Sequence, residues 1–460
     1  MNDARTSTRL LGGILVLSFL GCGSWRADAD GFTERDLTLL SEMVLTGRQP
    51  PHPGNEVATD QRVAEFGQQL FFDKALSPGR PDGTRSSTTV ACSDCHNPNE
   101  WFSDSRPENN VSQGVGLTTR NSPSLVNVAF YETFGWDGRA DTLWGQCDHA
   151  YQSPRTMKGT QLQLLLAVRE RYAARYALVF PGEPLPLPQA DAGADALDPF
   201  YRNILKAWAA YLTQLSSADS PFDRFAQGDR EALTVEQRRG LLLFLGKAGC
   251  IECHEGPTLT DNDYHAVGIG QSGRGVPDSD PGRETGLAAL RGLRFRPDGA
   301  MTPPEPTAAD RGRFRTKGLR QVARTAPYFH GGQAATLKDV VWFYNQGGDH
   351  EGGGEVSPFM VPLGLTELEQ AELVSFLEAL TGAEVPAALR CDNSRPLTVP
   401  DDVTSAAIAP ADSICGFGGV LLTRDGGFAA TADGGLEALD GGSTRVCNGA
   451  PALRRCEVIP

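Results

Sequence analysis

Cys92-Ser93-Asp94-Cys95-His96 sets two thiols three positions apart with an imidazole directly after them, and Cys250-Ile251-Glu252-Cys253-His254 repeats the arrangement. Thiols at that spacing can add to the two vinyl groups of a haem while the histidine of the same turn reaches the iron. A bare C-x-x-C would serve equally as a redox dithiol or as half of a zinc site. The adjacent histidine argues against both, and two such pentads exceed what ten cysteines and seven histidines supply by chance. The chain is expected to carry two covalently bound c-type haems on Cys92, Cys95, Cys250 and Cys253, with His96 and His254 on the irons.

The elements that must position these motifs read as helices. Apolar residues recur at helical spacing from Gln61 to Phe72 (Val63, Phe66, Leu70), from Gln161 to Tyr176 and from Pro199 to Leu215. A Pro- and Ala-rich loop is expected at 181–198, and residues 76–90 are rich in turn formers. Capping boxes Thr234-x-x-Gln237 and Thr366-x-x-Glu369 open two more helices, the first delivering Cys250. Between His96 and Gln146 little is periodic, as suits a segment that wraps a cofactor. The fold class expected is mainly α, with two cytochrome c-like haem domains at 58–230 and 231–385, long haem-wrapping loops and a small C-terminal appendage at 386–460.

A length of 460 residues and a hydrophobic share of 40% fit two or three cored domains, and the net charge of −15 argues against nucleic acid. A basic or neutral protein partner suits such a surface. Arg5 and Arg9, then the apolar run Leu10 to Leu20, read as an export signal too short to span a bilayer permanently. Residues 1–22 thus read as a lipoprotein-type signal, in which cleavage after Gly21 would leave Cys22 as the lipid-carrying mature N-terminus; an ordinary signal peptide is the alternative. Residues 23–57, broken by Pro50, Pro51 and Pro53, read as a tether. The expected location is the periplasm or a membrane facing it, where c-type haem is attached and disulfides form. Cys391, Cys415, Cys447 and Cys456 could form two bridges in any of three connectivities, leaving Cys147 over.

Arg120-Asn121-Ser122-Pro123-Ser124-Leu125, Trp136-Asp137-Gly138-Arg139-Ala140-Asp141-Thr142-Leu143-Trp144-Gly145-Gln146 and Thr325-Ala326-Pro327-Tyr328-Phe329-His330-Gly331-Gly332 resemble the bacterial dihaem cytochrome c peroxidase and MauG family, over about Phe66 to Gly382. The resemblance implies that the N-terminal haem, on His96, reacts with H2O2 and that the C-terminal haem, on His254, relays electrons from a small redox protein or a protein substrate. It implies a second ligand to the relay iron fourteen positions after His330. Peroxidases of the family have Met there; Tyr344 stands here, as in MauG, and a hard phenolate favours the higher oxidation states of iron. It also implies that Trp136 bridges the haems and that a Ca2+ is bound by the Asn121 side chain and the carbonyls of Thr325 and Pro327.

Three departures bear on the chemistry. Gln146 is present, but the glutamate that the family places ten residues later is Thr156, which cannot act as a base near neutral pH. His149, in the segment expected over the distal face, is the substitute acid/base considered; a structural hydrogen-bonding role is the alternative. The removable histidine typical of these peroxidases is absent from Val111-Ser112-Gln113-Gly114, so the first iron is expected to be five-coordinate or water-bound. Ala248 stands where an aromatic exit would lie in MauG. Three functions follow: H2O2 reduction, a MauG-like oxidation of a protein partner, or a non-catalytic electron-transfer cytochrome. Cys147 could pair with a tail cysteine or be buried.

Overall fold

The structure, a computed structural model, describes residues 27–48, 50–78, 89–106, 109–188 and 194–394, with the backbone of four short strands beyond them. The signal and lipidation site lie outside the described residues. In chain order the helices are α1 (Glu34–Glu42), α2 (Gln61–Phe72), α3 (Cys92–Cys95), α4 (Leu143–Gln152), α5 (Gln161–Arg171), α6 (Ala173–Val179), α7 (Ala194–Gln214), α8 (Pro221–Ala226), α9 (Val235–Leu245), α10 (Arg283–Arg291), α11 (Leu337–Asn345), α12 (Glu367–Glu378) and α13 (Ala387–Arg390). The strands pair only as antiparallel two-stranded ribbons: Tyr264–His265 with Phe314–Arg315, Val420–Leu422 with Phe428–Ala430, and Thr444–Asn448 with Arg455–Ile459. Among the described residues no helix is long and apolar enough to cross a membrane.

Two cores form, each around one pair of crossed helices. α2 packs on α7 through Val63, Phe66 and Leu70, and α9 packs on α12 through Leu241, Phe244, Leu373 and Phe376. Both crossings are too close for a side chain. A Cβ on Gly67 would lie 1.9 Å from the Ala207 carbonyl oxygen, and one on Gly240 would lie 2.0 Å from that of Glu372. The same solution used twice makes the chain an internal repeat, each copy presenting one C-x-x-C-H motif beside its crossed pair.

Several expectations are corrected. Residues 23–57 are not a simple tether: Thr33 and Asp36 cap α1 reciprocally, and Phe32, Leu40 and Met43 are buried in the second core. The aromatic ring of Phe32 sits 5.3 Å from that of Phe225, and Arg320 reaches back to the Met43 carbonyl at 2.9 Å. The segment holds an amphipathic helix of about two and a half turns that buries its apolar side. α8, placed by sequence in the first domain, also belongs to the second core, where Asp223 receives two bonds from Arg320 at 2.7 and 2.8 Å. Conversely Val385 and Leu389 join the first core, and Gln68 and Tyr211 donate to the carbonyls of Ala388 and Leu389.

The helix expected over 161–176 breaks at Tyr172, whose hydroxyl is drawn to Asp73 (2.8 Å) and to the Ser394 carbonyl (3.1 Å). The loop expected at 181–198 ends sooner, because α7 begins at Ala194 and carries Pro199 inside it. Cys391 is disulfide-bonded, while Cys147 is a free thiol. Side chains of the remaining appendage lie outside the described residues.

Because the crossings tolerate no Cβ, Gly67→Ala and Gly240→Ala should each lower unfolding free energy by about 2–3 kcal/mol. Gly292→Ala, whose Cβ would meet nothing closer than 3.5 Å, should change it by less than about 0.5 kcal/mol. Denaturant unfolding of the haem-loaded variants checks both.

Candidate functional site

Each haem-attachment motif is a single tight turn that fixes its histidine. His96 follows α3, and its Nδ1 lies 3.1 Å from the Phe102 carbonyl; His254 follows a 3-10 turn at Cys250–Glu252, and its Nδ1 lies 3.0 Å from the Leu259 carbonyl. Nδ1–H donation of this kind sets the tautomer and leaves Nε2 as the free ligand atom. Burial lowers the pKa of both imidazoles, which keeps them neutral as iron ligands require. Burial likewise pushes the thiols of Cys92 and Cys250 up to about 12 and those of Cys95 and Cys253 up to about 11. Such thiols are poor nucleophiles and metal ligands, and a thioether removes the ionisable hydrogen altogether.

The second motif opens into a cavity of about 300 Å³. Cys250, Cys253 and His254 form one side, and Tyr344, near the end of α11, lies on the same cavity wall system with Val340 and Val341. Burial pushes the Tyr344 phenol up, and the nearby Cys253 and Cys250 sulfurs push it further. The expected ligand pair His254 and Tyr344 is thus brought into one space. Asp261 and His265 come together with Cys253, their ligand atoms within 4.8 Å of one another, and the Cys253 thiol is one that the motif offers to haem.

Sequence reasoning missed Arg315 and Lys317, whose positions only the fold reveals. Both line the cavity. The Arg315 guanidinium lies 4.0 Å from the Tyr131 ring, its Nε has no hydrogen-bond partner among the described residues, and burial depresses its pKa. Lys317 is held well below the ordinary lysine range by burial and by Arg315. Two cations withdrawn from solvent with no carboxylate ion pair among the described residues are costly. Haem propionates are the anions that such a pair would hold, so residues and group fit.

Trp136 stands at the same cavity, its indole N–H donating to the Asn121 carbonyl at 2.8 Å and the Lys317 ammonium 4.4 Å above its ring. Asn121, Thr325 and Pro327 all line this cavity. The Asn121 amide donates to the carbonyls of Asp104 (3.0 Å) and Asn110 (3.1 Å), which turns its oxygen away from those contacts and leaves a hard donor for a cation.

Distal to the first motif lies α4. Gln146 Oε1 is buried without a partner among the described residues, whereas the Thr156 hydroxyl is spent on the Ala150 and Ser153 carbonyls. His149 is placed differently from the expected acid/base. Its Nε2 accepts from Arg139 at 2.5 Å, and burial with the Arg139 charge holds its pKa at about 4. The basic nitrogen is therefore occupied. Arg139 in turn pairs with Asp137 (2.7 Å), Asp137 with Arg120 (2.7 Å) and Arg120 with Asp280 (2.7 Å). The chain of charges carries the Trp136 loop from the first unit to the second.

Two crossed-helix units, each with a C-x-x-C-H turn, and a tryptophan lodged in the cavity of the second motif define a dihaem c-type cytochrome of the kind that works as a redox enzyme. The comparisons agree. The family model described as di-haem cytochrome c peroxidase matches residues 61–231. The methylamine utilization protein MauG of Methylorubrum extorquens is 32% identical over 372 residues, covering 80% of this chain and 91% of that protein. The cytochrome-c peroxidase IdrP1 of Denitromonas iodatirespirans is 34% identical over 352 residues, covering 73% and 85%. The crystal structure of the diheme peroxidase BthA from Burkholderia thailandensis E264 matches with TM-score 0.57 and 26% identity, over 73% of this chain and 91% of that one. The chain belongs to the di-haem cytochrome c peroxidase and MauG family, and is an oxidoreductase carrying the family's two c-type haems.

The buried imidazoles His149 and His330 are both held at about 4 by burial. Their folded values lie below the unfolded 6.5, so below about pH 6.5 the unfolded chain binds more protons: stability is full above that pH, is lost progressively as pH falls from about 6.5 to about 4, and loses no more below. Each should contribute up to about 3 kcal/mol to that loss. Denaturant midpoints at stepped pH, with His149→Gln flattening part of the slope, check this.

Proposed function

We propose that the protein is a MauG-like oxidant: H2O2 reacts at the haem held by His96, and the oxidising equivalents are shared with the haem held by His254 and Tyr344 and spent on a protein partner. The observation that carries this reading is Tyr344 sharing one cavity with Cys250, Cys253 and His254. When bound, the haems supply the peroxide-reactive and redox iron. His96 would hold the reactive iron through Nε2, and Gln146 would present a carbonyl oxygen able to accept a hydrogen bond from incoming H2O2. Arg315 and Lys317 would hold propionates, and Trp136 would lie on the path between the units. Asn121, Thr325 and Pro327 would bind a Ca2+ at the same wall. Thr156 and His149 are not the proton shuttle in this reading, since their polar atoms are engaged elsewhere.

The acidic surface suits a basic or neutral redox protein as partner. Export, with the mature chain in the periplasm or lipid-anchored through Cys22, accords with haem attachment. A conventional peroxidase reading draws on the relatives named cytochrome-c peroxidase, and a purely electron-carrying role on Thr156.

Visible and EPR spectra before and after one equivalent of H2O2, without reductant, test the reading. Both irons should leave the ferric state together and remain there; a change seen only after one haem is reduced points to a conventional peroxidase, and no change under either condition points to an electron carrier. Tyr344→Phe should convert the second haem to a five-coordinate, high-spin spectrum. His149→Gln should leave the rate of the peroxide reaction within about threefold, whereas loss of a true acid/base costs about a hundredfold or more. Stopped-flow absorbance decides that case.

A further inference from the structure

Behind the first motif, the crossed helices enclose a set of aromatic rings that the reading above leaves unused. Tyr151, on α4, lies near Cys92 of the first motif. Its ring centroid lies 5.4 Å from that of Trp208 and 6.1 Å from that of Tyr201, both on α7. All three rings are buried. They differ in what lies at the end of their polar bonds. Tyr151 donates to the carbonyls of Leu76 and Thr160, Tyr211 donates to that of Leu389, and Trp208 Nε1 has no partner among the described residues. A carbonyl is no base.

Tyr201 is different: its hydroxyl donates to Asp148 Oδ1 at 2.8 Å. Asp148 belongs to no ion pair among the described residues, its other contact being the Gln152 amide, and burial holds its carboxyl above the usual range. The contrast is Tyr172, which also donates to a carboxylate at 2.8 Å, but to Asp73, whose charge Arg171 already neutralises at 2.8 Å. A buried phenol cannot lose a proton to water, and once it has lost an electron it becomes a strong acid. Oxidation is feasible where a free base already holds the hydrogen bond.

We propose that Tyr201, with Asp148 as its proton acceptor, is a redox-active tyrosine that stores one oxidising equivalent passed from the first haem through Tyr151. The proposal rests on peroxide reacting at that haem. In the step, Tyr201 gives one electron by way of Tyr151 to the oxidised haem centre and its phenolic proton to the Asp148 carboxylate. A neutral tyrosyl radical and a carboxylic acid result. H2O2 is the oxidant and takes two electrons, one from Tyr201 and one that the haem would supply, with two protons from solvent, to give two waters; when an electron returns to Tyr201, the proton returns from Asp148. Storage there draws the oxidising equivalent away from the vulnerable sulfurs next to the motif, namely Met157, 3.8 Å from Cys92, and the free Cys147.

The test is EPR of the haem-loaded protein, frozen after one equivalent of H2O2 and, in parallel, after photogenerated tris(bipyridine)ruthenium(III), which removes an electron without peroxide chemistry. The expected result is an organic radical whose signal narrows in protein grown with ring-deuterated tyrosine. It should vanish in Tyr201→Phe, persist in Tyr172→Phe, and decay about a hundredfold faster in Asp148→Asn, where the proton has no acceptor. Unchanged visible spectra confirm that the variants are folded and loaded, and should Tyr201→Phe fail to fold, Asp148→Asn decides. The same radical in Tyr201→Phe, an unaltered lifetime in Asp148→Asn, or no tyrosyl signal with either oxidant overturns the proposal. A Tyr201 signal with the ruthenium oxidant alone upholds it and sinks the peroxide reading instead.

Discussion

A buried row of alternating charges, Asp280, Arg120, Asp137 and Arg139, runs between the two helical units and ends on His149. Charges out of water are tolerable only when each meets its partner in good geometry, and removing one member leaves its neighbours uncompensated. The row therefore admits one register between the units. The Arg120 and Arg139 guanidiniums hold the Asp137 carboxyl far below its usual range although burial opposes this. Close backbone approach is needed to bring them together: a Cβ on Gly138 would lie 1.8 Å from the Tyr264 hydroxyl, and one on Gly286 would lie 2.0 Å from the Asp137 carbonyl. Trp136 is the residue before Asp137, so its place at the cavity of the second motif follows from this electrostatic constraint.

The chain reinforces the same register at its ends. α1, from the N-terminal side, packs into the second core, while the segment around α13 packs onto the first. Each unit is thus completed by a strap that is distant in sequence, and neither core is whole without its own. The Arg320–Asp223 pair shows how tightly this is drawn, since the guanidinium also ties down the Met43 carbonyl of the N-terminal strap. Loop-closure entropy rises slowly with length, so long-range straps are tolerable where they bury apolar side chains such as Phe32 and Leu389.

The two sites are built alike and tuned apart. Both histidines are oriented by a carbonyl five or six residues later, yet the first unit offers, on α4, an amide oxygen with no partner among the described residues, and the second offers a phenol at its cavity. On the function proposed above, the first would leave room for a substrate and the second would be closed by the phenol, a division of labour compatible with the likeness to MauG and to the dihaem peroxidases.

Sequence by itself determined the haem motifs, the capped helices that open at Thr234 and Thr366, and α2 to the residue, because these depend on local spacing and on capping groups within four positions. It also determined the family, through motifs long enough to carry their own register. Only the tertiary structure decided that residues 34–42 are a core helix, that Tyr172 breaks a helix to reach Asp73 and Ser394, and that the basic nitrogen of His149 is occupied by Arg139. Arg315 and Lys317 were invisible for the same reason: a buried cation is defined by what fails to stand beside it in space. The Tyr201–Asp148 bond joins residues 53 positions apart, and no local pattern encodes a contact made by packing α4 against α7.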